Sequence, residues 1–173
     1  ENTYYKNIEV ISLYGNNRKL KDDDIENVDV IIFDIQDVGV RFYTYLSTLH
    51  YAMESAARKN KKIIIMDRAN PNSFYIDGPV LDLENRSFIG LHPVPIVYGM
   101  TIGEYGLMIN GEGWLENNLK VDMEVIKLKN YNHKLNILSK STAAHSTLSI
   151  DDRSSCKFKK DKFGCFTLEN IMK

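Results

Sequence analysis

The sequence predicts an α/β domain with a mostly parallel sheet and a long loop excursion. Two observations carry this. Short β-branched runs, VDVIIF (28–33) and KKIIIM (61–66), read as buried strands, and the stretch between them switches to helical spacing. Strand, helix and strand in that order make a βαβ unit, the building block of a parallel sheet. A chain of 173 residues is long enough for one domain with a core of its own.

The elements follow in order. Residues 8–13 (IEVISL) read as a first short strand, and NNRKLKDDDIENV after it as a polar, turn-rich connection with room for a short helix. Strand 28–33 is apolar enough to be buried on both faces. Leu46, Leu49, His50, Met53 and Ala57 recur at helical spacing, with Glu54, Arg58 and Lys59 among the polar positions, which predicts a helix over about 43–59. The excursion runs from Pro71 to Pro95, rich in turn residues, with IDGPVLDL as an extended or hairpin element; long loops of this kind are often functional. A second helix starts at a capping-box pattern, Thr101 to Glu104, with Met100 and Tyr105 placed for a hydrophobic staple. VDMEVIKL (121–128) alternates and reads as a further strand. Residues 1–133 are thereby the α/β domain. From Lys134 to Lys173 the chain turns Ser- and Lys-rich, with eight Lys or Arg against four Asp or Glu, a basic tail with poor periodicity.

Composition excludes several classes. Hydrophobic residues at 43% and charged residues at 26% are those of an ordinary globular chain, and a net charge of −1 argues for neither nucleic acid nor an anionic membrane as partner, so no nucleic acid is expected. No apolar run reaches the roughly 18 residues of a membrane span, and ENTYYKNIEV carries no signal-peptide pattern. Cys156 and Cys165 in CKFKKDKFGC read better as two free thiols than as a disulfide, and no second ligand pair supports zinc. With no GxGxxG, Walker loop or GxSxG elbow, no cofactor and no metal are expected.

Chemistry concentrates where strands end. In parallel sheets, ligands bind beyond the carboxyl ends of the strands. DIQDVGVR follows strand 28–33 and DRANPN follows strand 61–66, so Asp34, Gln36, Asp37 and Arg41 are expected across a crevice from Asp67, Arg68 and Asn70. Crowded carboxylates suit acid/base work, and a guanidinium reads a carboxylate or phosphate in bidentate fashion. Tyr43 and Tyr45 add flat faces for a sugar ring. Structural readings compete at each position. Asp34 suits a cap, Asp37 a pair with Arg41, Asp67 a pair with Arg68 or another loop residue, and Glu104 the capping box. Phe33 and Phe42 are expected in the core, as is His50. His92, between prolines, is open between a ligand and an exposed residue.

DIQDVGVRFYTYLSTL, MDRANPN, DGPVLD, SFIG and PVPIVYGMTIGE, in that order, resemble the NamZ-like exo-β-N-acetylmuramidases, a family first catalogued as a domain of unknown function. The resemblance implies a Rossmann-like α/β domain, here partial, and secreted or cell-envelope glycosidases. These release N-acetylmuramic acid from the non-reducing ends of peptidoglycan chains, so a peptidoglycan or muropeptide glycan is the implied partner. It carries Asp34, Asp37 and Asp67 over as catalytic carboxylates. Gln36, Arg41, Tyr43, Tyr45, Arg68, Asn70 and Glu104 are the substrate-binding candidates, with an arginine on the lactyl carboxylate. The family's Pro-Glu-His-Gly motif belongs upstream of Glu1, Ala69 replaces a usual proline, and the end of the chain does not resemble the family. A non-catalytic or degenerate glycan-binding relative is therefore the alternative. A Mg²⁺-dependent phosphohydrolase using Asp34 and Asp37 is a distant third, since their spacing is not the usual one.

Overall fold

The computed structural model describes residues 3–6, 8–13, 15 and 18–128, and the backbone of two further strands at 157–160 and 166–169. Cys156 and Cys165 and most of the basic tail lie outside the described residues. The chain divides after Leu128.

The first unit is the predicted βαβ unit extended by one more strand. Strands β1 (Thr3–Tyr5) and β2 (Ile8–Val10) form an antiparallel hairpin. A single 3-10 turn, Asp23–Ile25, occupies the polar connection. Strand β3 (Val30–Phe33), helix α1 (Tyr45–Arg58) and strand β4 (Lys62–Asp67) then follow. Helix α2 (Ile102–Glu112) and strand β5 (Met123–Lys127) complete the unit. The sheet has the order β3-β4-β5 and both pairings are parallel. In the second unit, β6 (Lys157–Lys160) and β7 (Phe166–Glu169) pair antiparallel.

Both helices pack on one face of the sheet. Leu49, Met53 and Ala56 of α1, Ile63 and Ile65 of β4, and Ile102, Tyr105 and Ile109 of α2 are all buried in one cluster. Each large apolar side chain sealed in this way contributes about 1.5–3 kcal/mol. Along β4 the buried residues alternate, so Ile63, Ile65 and Asp67 face the helices. The opposite face departs from the sequence expectation: among the described residues Val30 and Ile32 of β3 are 39% and 64% exposed. Alternation rather than two-sided burial therefore governs β3. Ile8 and Val10 also lie exposed in their hairpin rather than in the central sheet.

Two further expectations are corrected. Phe42 is exposed, because it falls in the turn before α1 while the chain's next buried apolar residue is Leu46. Glu54, placed among the polar positions of α1, is buried, since it lies one turn after His50 on the covered face. The excursion forms no strand of its own. It is tied by the bridges Val40 to Val97, Asp77 to Val97 and Ser87 to Gly90, and by a 3-10 turn at Leu83–Asn85.

Helix α2 begins where the sequence places it. The Thr101 hydroxyl accepts from the Glu104 amide, and the Glu104 carboxylate accepts from the Thr101 amide, so the capping box is complete. Met100 and Tyr105 both join the core cluster, as the staple requires. Gly103 permits a close approach to the sheet: a Cβ there would lie 2.5 Å from Val125 Cγ1 and 2.7 Å from Asp67 Cγ. Gly103→Ala is therefore expected to destabilise the fold by about 1–3 kcal/mol, as overpacking does. Urea unfolding measures it; an unchanged midpoint would refute the close packing of α2 on β4.

Candidate active site

Three chain segments meet at the carboxyl ends of β3 and β4: residues 34–41, residues 67–72 and the approach to α2 at 98–103. Their stitching is specific. Arg68 donates from Nη2 to Asp34 Oδ1. Gln36 donates to the Asp37 carbonyl at 2.5 Å and toward the Ala69 carbonyl at 3.5 Å. Asn72 donates to the Val38 carbonyl at 2.7 Å, and Asn70 to the Met100 carbonyl at 2.7 Å. Gly39, at φ +77°, lies so close beneath Asn70 that a Cβ would sit 2.1 Å from its Oδ1. The first two segments thus meet at the strand ends, and the 98–103 segment joins them.

The carboxylates differ in environment. Asp67 is 3% exposed and accepts from the Thr101 hydroxyl and the Gly103 amide, both at 2.9 Å, so it sits on the N-terminus of α2. Asp37 is also 3% exposed; its Oδ2 accepts from the Gly39 amide at 2.8 Å and from the Tyr98 hydroxyl. Asp34 is open to solvent, its side chain 54% exposed beside Arg68. Asp67 takes these partners rather than Arg68, whose guanidinium bonds Asp34. Arg41 spends its guanidinium on the Pro79 carbonyl at 3.0 Å and on the Val94 carbonyl, clamping the excursion. Arg68 keeps its Nη1 buried without a partner among the described residues.

The remaining candidates border this cluster. Tyr43 and Tyr45 meet edge to face with ring centroids 5.0 Å apart, and burial, then Tyr45 and Asp37, raise the Tyr43 hydroxyl above its ordinary pKa. Asn70 is buried, while Glu104 is exposed with its carboxylate on the Thr101 amide. Among the described residues no three His, Cys, Asp or Glu side chains are grouped to hold a metal ion.

Sequence reasoning missed what lies behind this cluster. Tyr98, which bonds Asp37, packs edge-on against Tyr105, with centroids 4.9 Å apart. Tyr105 meets His92 Nδ1 at 3.1 Å, His92 Nε2 meets His50 Nδ1 at 3.0 Å, and His50 Nε2 meets Glu54 Oε1 at 3.0 Å. His92 is 2% exposed, neither a free ligand nor a surface residue. The i, i+4 spacing of His50 and Glu54 was the available signal; the partner His92 comes from a loop and had none.

Electrostatics follow from this burial. Burial opposes the Glu54 charge, but the hydrogen bond and charge of His50, then Lys19 and the Glu116 amide, outweigh it and hold the carboxyl at about 2. Burial, then His50 and Arg86, push His92 down to about 3. Burial and Asp37 raise both Tyr98 and Tyr105 well above their ordinary values.

Two outcomes are expected. Glu54 and His92 both bind fewer protons folded than unfolded. The stability tied to His92 is therefore complete above its ordinary value of 6.5 and lost as pH falls toward about 3. The part tied to Glu54 is complete above 4.5 and lost as pH falls toward about 2. Urea midpoints should fall from pH 7 to pH 4, and His92→Asn should flatten the upper part of that fall; a flat wild-type profile would refute it. Separately, Tyr98→Phe leaves Asp37 without its hydroxyl donor and should cost about 1–3 kcal/mol in the same assay.

Comparisons with known proteins bear on the family and the fold. The family profile described as "Exo-beta-N-acetylmuramidase NamZ, N-terminal" matches residues 1–147, which enclose the whole strand-end cluster. A peptidoglycan beta-N-acetylmuramidase NamZ of Bacillus subtilis (strain 168) is 43% identical over 129 residues, 74% of this chain and 30% of that protein. Two crystal structures of DUF1343 family proteins from Bacteroides fragilis NCTC 9343 superpose with TM-scores of 0.62 and 0.65. The first is 47% identical over 66% of this chain and the second 39% over 73%; each match takes in 33% of the solved chain. The chain thus spans about a third of the length of these relatives. On the extent of the profile match, this chain belongs to the NamZ family of exo-β-N-acetylmuramidases, in its N-terminal part.

Proposed function

We propose that this chain forms a glycan-binding wall, with catalytic carboxylates, of a peptidoglycan glycosidase that releases N-acetylmuramic acid from non-reducing chain ends. The observation that carries the reading is the 43% identity to a peptidoglycan β-N-acetylmuramidase. The family match encloses Asp34, Asp37 and Asp67 together. Glycoside hydrolysis uses carboxyl groups on either side of the scissile bond, around an oxocarbenium-like transition state. Asp34, the solvent-reached member beside Arg68, is the group assigned to the sugar as nucleophile or base. Asp37 and Asp67 hold the walls in register and add negative potential at the developing cation.

Arg68 is the guanidinium assigned to the lactyl carboxylate. Its Nη1 lacks a protein partner among the described residues, whereas Arg41 is occupied by carbonyls. Gln36, Tyr43, Tyr45, Asn70 and Glu104 border the sugar. A cell-envelope setting follows from such a substrate. The division into an α/β domain ending near residue 133 and a basic tail, 134–173, belongs to the same reading, supported by the division of the chain after Leu128.

A second reading has its own support. Asp37 and Asp67 are buried and already accept bonds from Tyr98, Gly39, Thr101 and Gly103, as scaffold carboxylates do. A glycan-binding relative without catalysis would keep all of these contacts.

A chromogenic N-acetylmuramide separates the two. The chain is expected to release the chromophore, and Asp34→Asn to lower kcat by about 10²–10⁴ while retaining the fold. Release unaffected by a chelator excludes the Mg²⁺ phosphohydrolase reading. No release by a folded chain that still binds muropeptide in calorimetry would replace the glycosidase with the binding protein.

A further inference from the structure

The chain Glu54–His50–His92–Tyr105 is buried, adjoins Asp37 through Tyr98, and has no part in the glycosidase reading. Its chemistry admits one arrangement when both rings are neutral. An ionised carboxylate only accepts, so His50 must donate from Nε2 to Glu54 and accept at Nδ1. His92 must then donate from Nε2 to His50 and accept at Nδ1, which leaves Tyr105 as the terminal donor. One charge thus sets the direction of every hydrogen in a chain that joins α1, the excursion and α2.

We propose that Glu54, His50 and His92 are positioning residues for Asp37. The Glu54 carboxylate locks both imidazole tautomers, and the locked chain holds the 92–98 segment and the Tyr105 ring so that Tyr98 presents its hydroxyl to Asp37. The proposal rests on the reading that Asp37 lines a working glycan site. His92 lies six residues before Tyr98, and the segment between is pinned by the Arg41 bond to the Val94 carbonyl. Tyr105 packs edge-on against the Tyr98 ring, so the last donor of the chain and the donor to Asp37 share one contact.

His50 and His92 form the buried pair at the centre of this chain. The charged or titratable groups that face the pair are Glu54, Lys19 at 3.5 Å from Glu54, Arg86, Tyr51 and Tyr105. Trp114, the chain's only tryptophan, stacks on His92 with centroids 4.8 Å apart and an interplanar angle of 16°. A charged imidazole quenches a stacked indole, so Trp114 reports the charge on His92.

The test uses Glu54→Gln, which keeps shape and removes the lock, because an amide both donates and accepts. Imidazole ¹⁵N–¹H correlation at pH 7 should show the wild-type His50 and His92 protonated at Nε2 alone. Glu54→Gln should show mixed tautomers, and the Tyr98 hydroxyl proton should exchange about tenfold faster. Trp114 emission in the wild type should stay flat from pH 8 to about pH 4. A wild-type His92 protonated on Nδ1 at pH 7 would overturn the proposal. So would Tyr98 exchange that is equal in both proteins, or quenching of Trp114 centred on the ordinary histidine value. If Glu54→Gln does not fold, His50→Gln replaces the ring with an amide that both donates and accepts, so the direction of the chain is again unlocked, and reads the same Tyr98 exchange. On the chromogenic substrate, Glu54→Gln should lower kcat and leave KM within about twofold. A wild type that releases nothing counts against the glycosidase reading, while the tautomers and the Tyr98 exchange still decide the positioning role.

Discussion

The carboxylate of Asp67 organises this fold. It closes the central strand, and it is also the group on which α2 begins, through the Thr101 hydroxyl and the Gly103 amide. A buried charge is costly unless strongly bonded, and here the donors are those that a helix N-terminus leaves free. Because Gly103 has no side chain, the helix settles directly on β4 and Val125. That contact sets the position of Tyr105 and of the Met100 carbonyl, which in turn receives Asn70 from the neighbouring loop. The site walls and the core are thereby fixed by the same few atoms.

The same economy divides labour among the carboxylates. Two of them are sunk into the frame, while Asp34 stands at the mouth with Arg68 across from it. The family match covers all of these strand-end residues, and their environments differ, two carboxylates being buried and one exposed. The arginines divide likewise, Arg41 serving backbone carbonyls and Arg68 serving a carboxylate.

Much of this was legible in the residues. The period change after Gly39 located α1 to within two residues at its start, and Thr101 with Glu104 located the start of α2, because both signals are local. The meeting of the 34–41 and 67–72 segments followed from strand ends in a parallel sheet, again a short-range inference once the βαβ unit was recognised. What escaped depended on contacts between distant segments. Phe42 looked like core because it is aromatic, yet its turn carries it outward; Glu54 looked like surface because it is charged, yet its neighbour His50 draws it inward. His92 owes its burial to Trp114, Tyr105 and His50 on three other segments, and no spacing in the excursion announces them. Val30 and Ile32 show the converse: a strand apolar on both faces is covered on one of them among the described residues.

Gly39 and Asn70 illustrate a restriction on how such a site can change over time. Gly39 combines a left-handed backbone with the Asn70 amide pressed where a side chain would begin, and Asn70 is itself bonded to the Met100 carbonyl and the Asn72 amide. Gly39 cannot take a side chain while Asn70 keeps its own. A side chain at position 39 therefore requires a prior change at Asn70, which orders the substitutions in the two loops. The exposed rim position Tyr45 is freer to change than this floor.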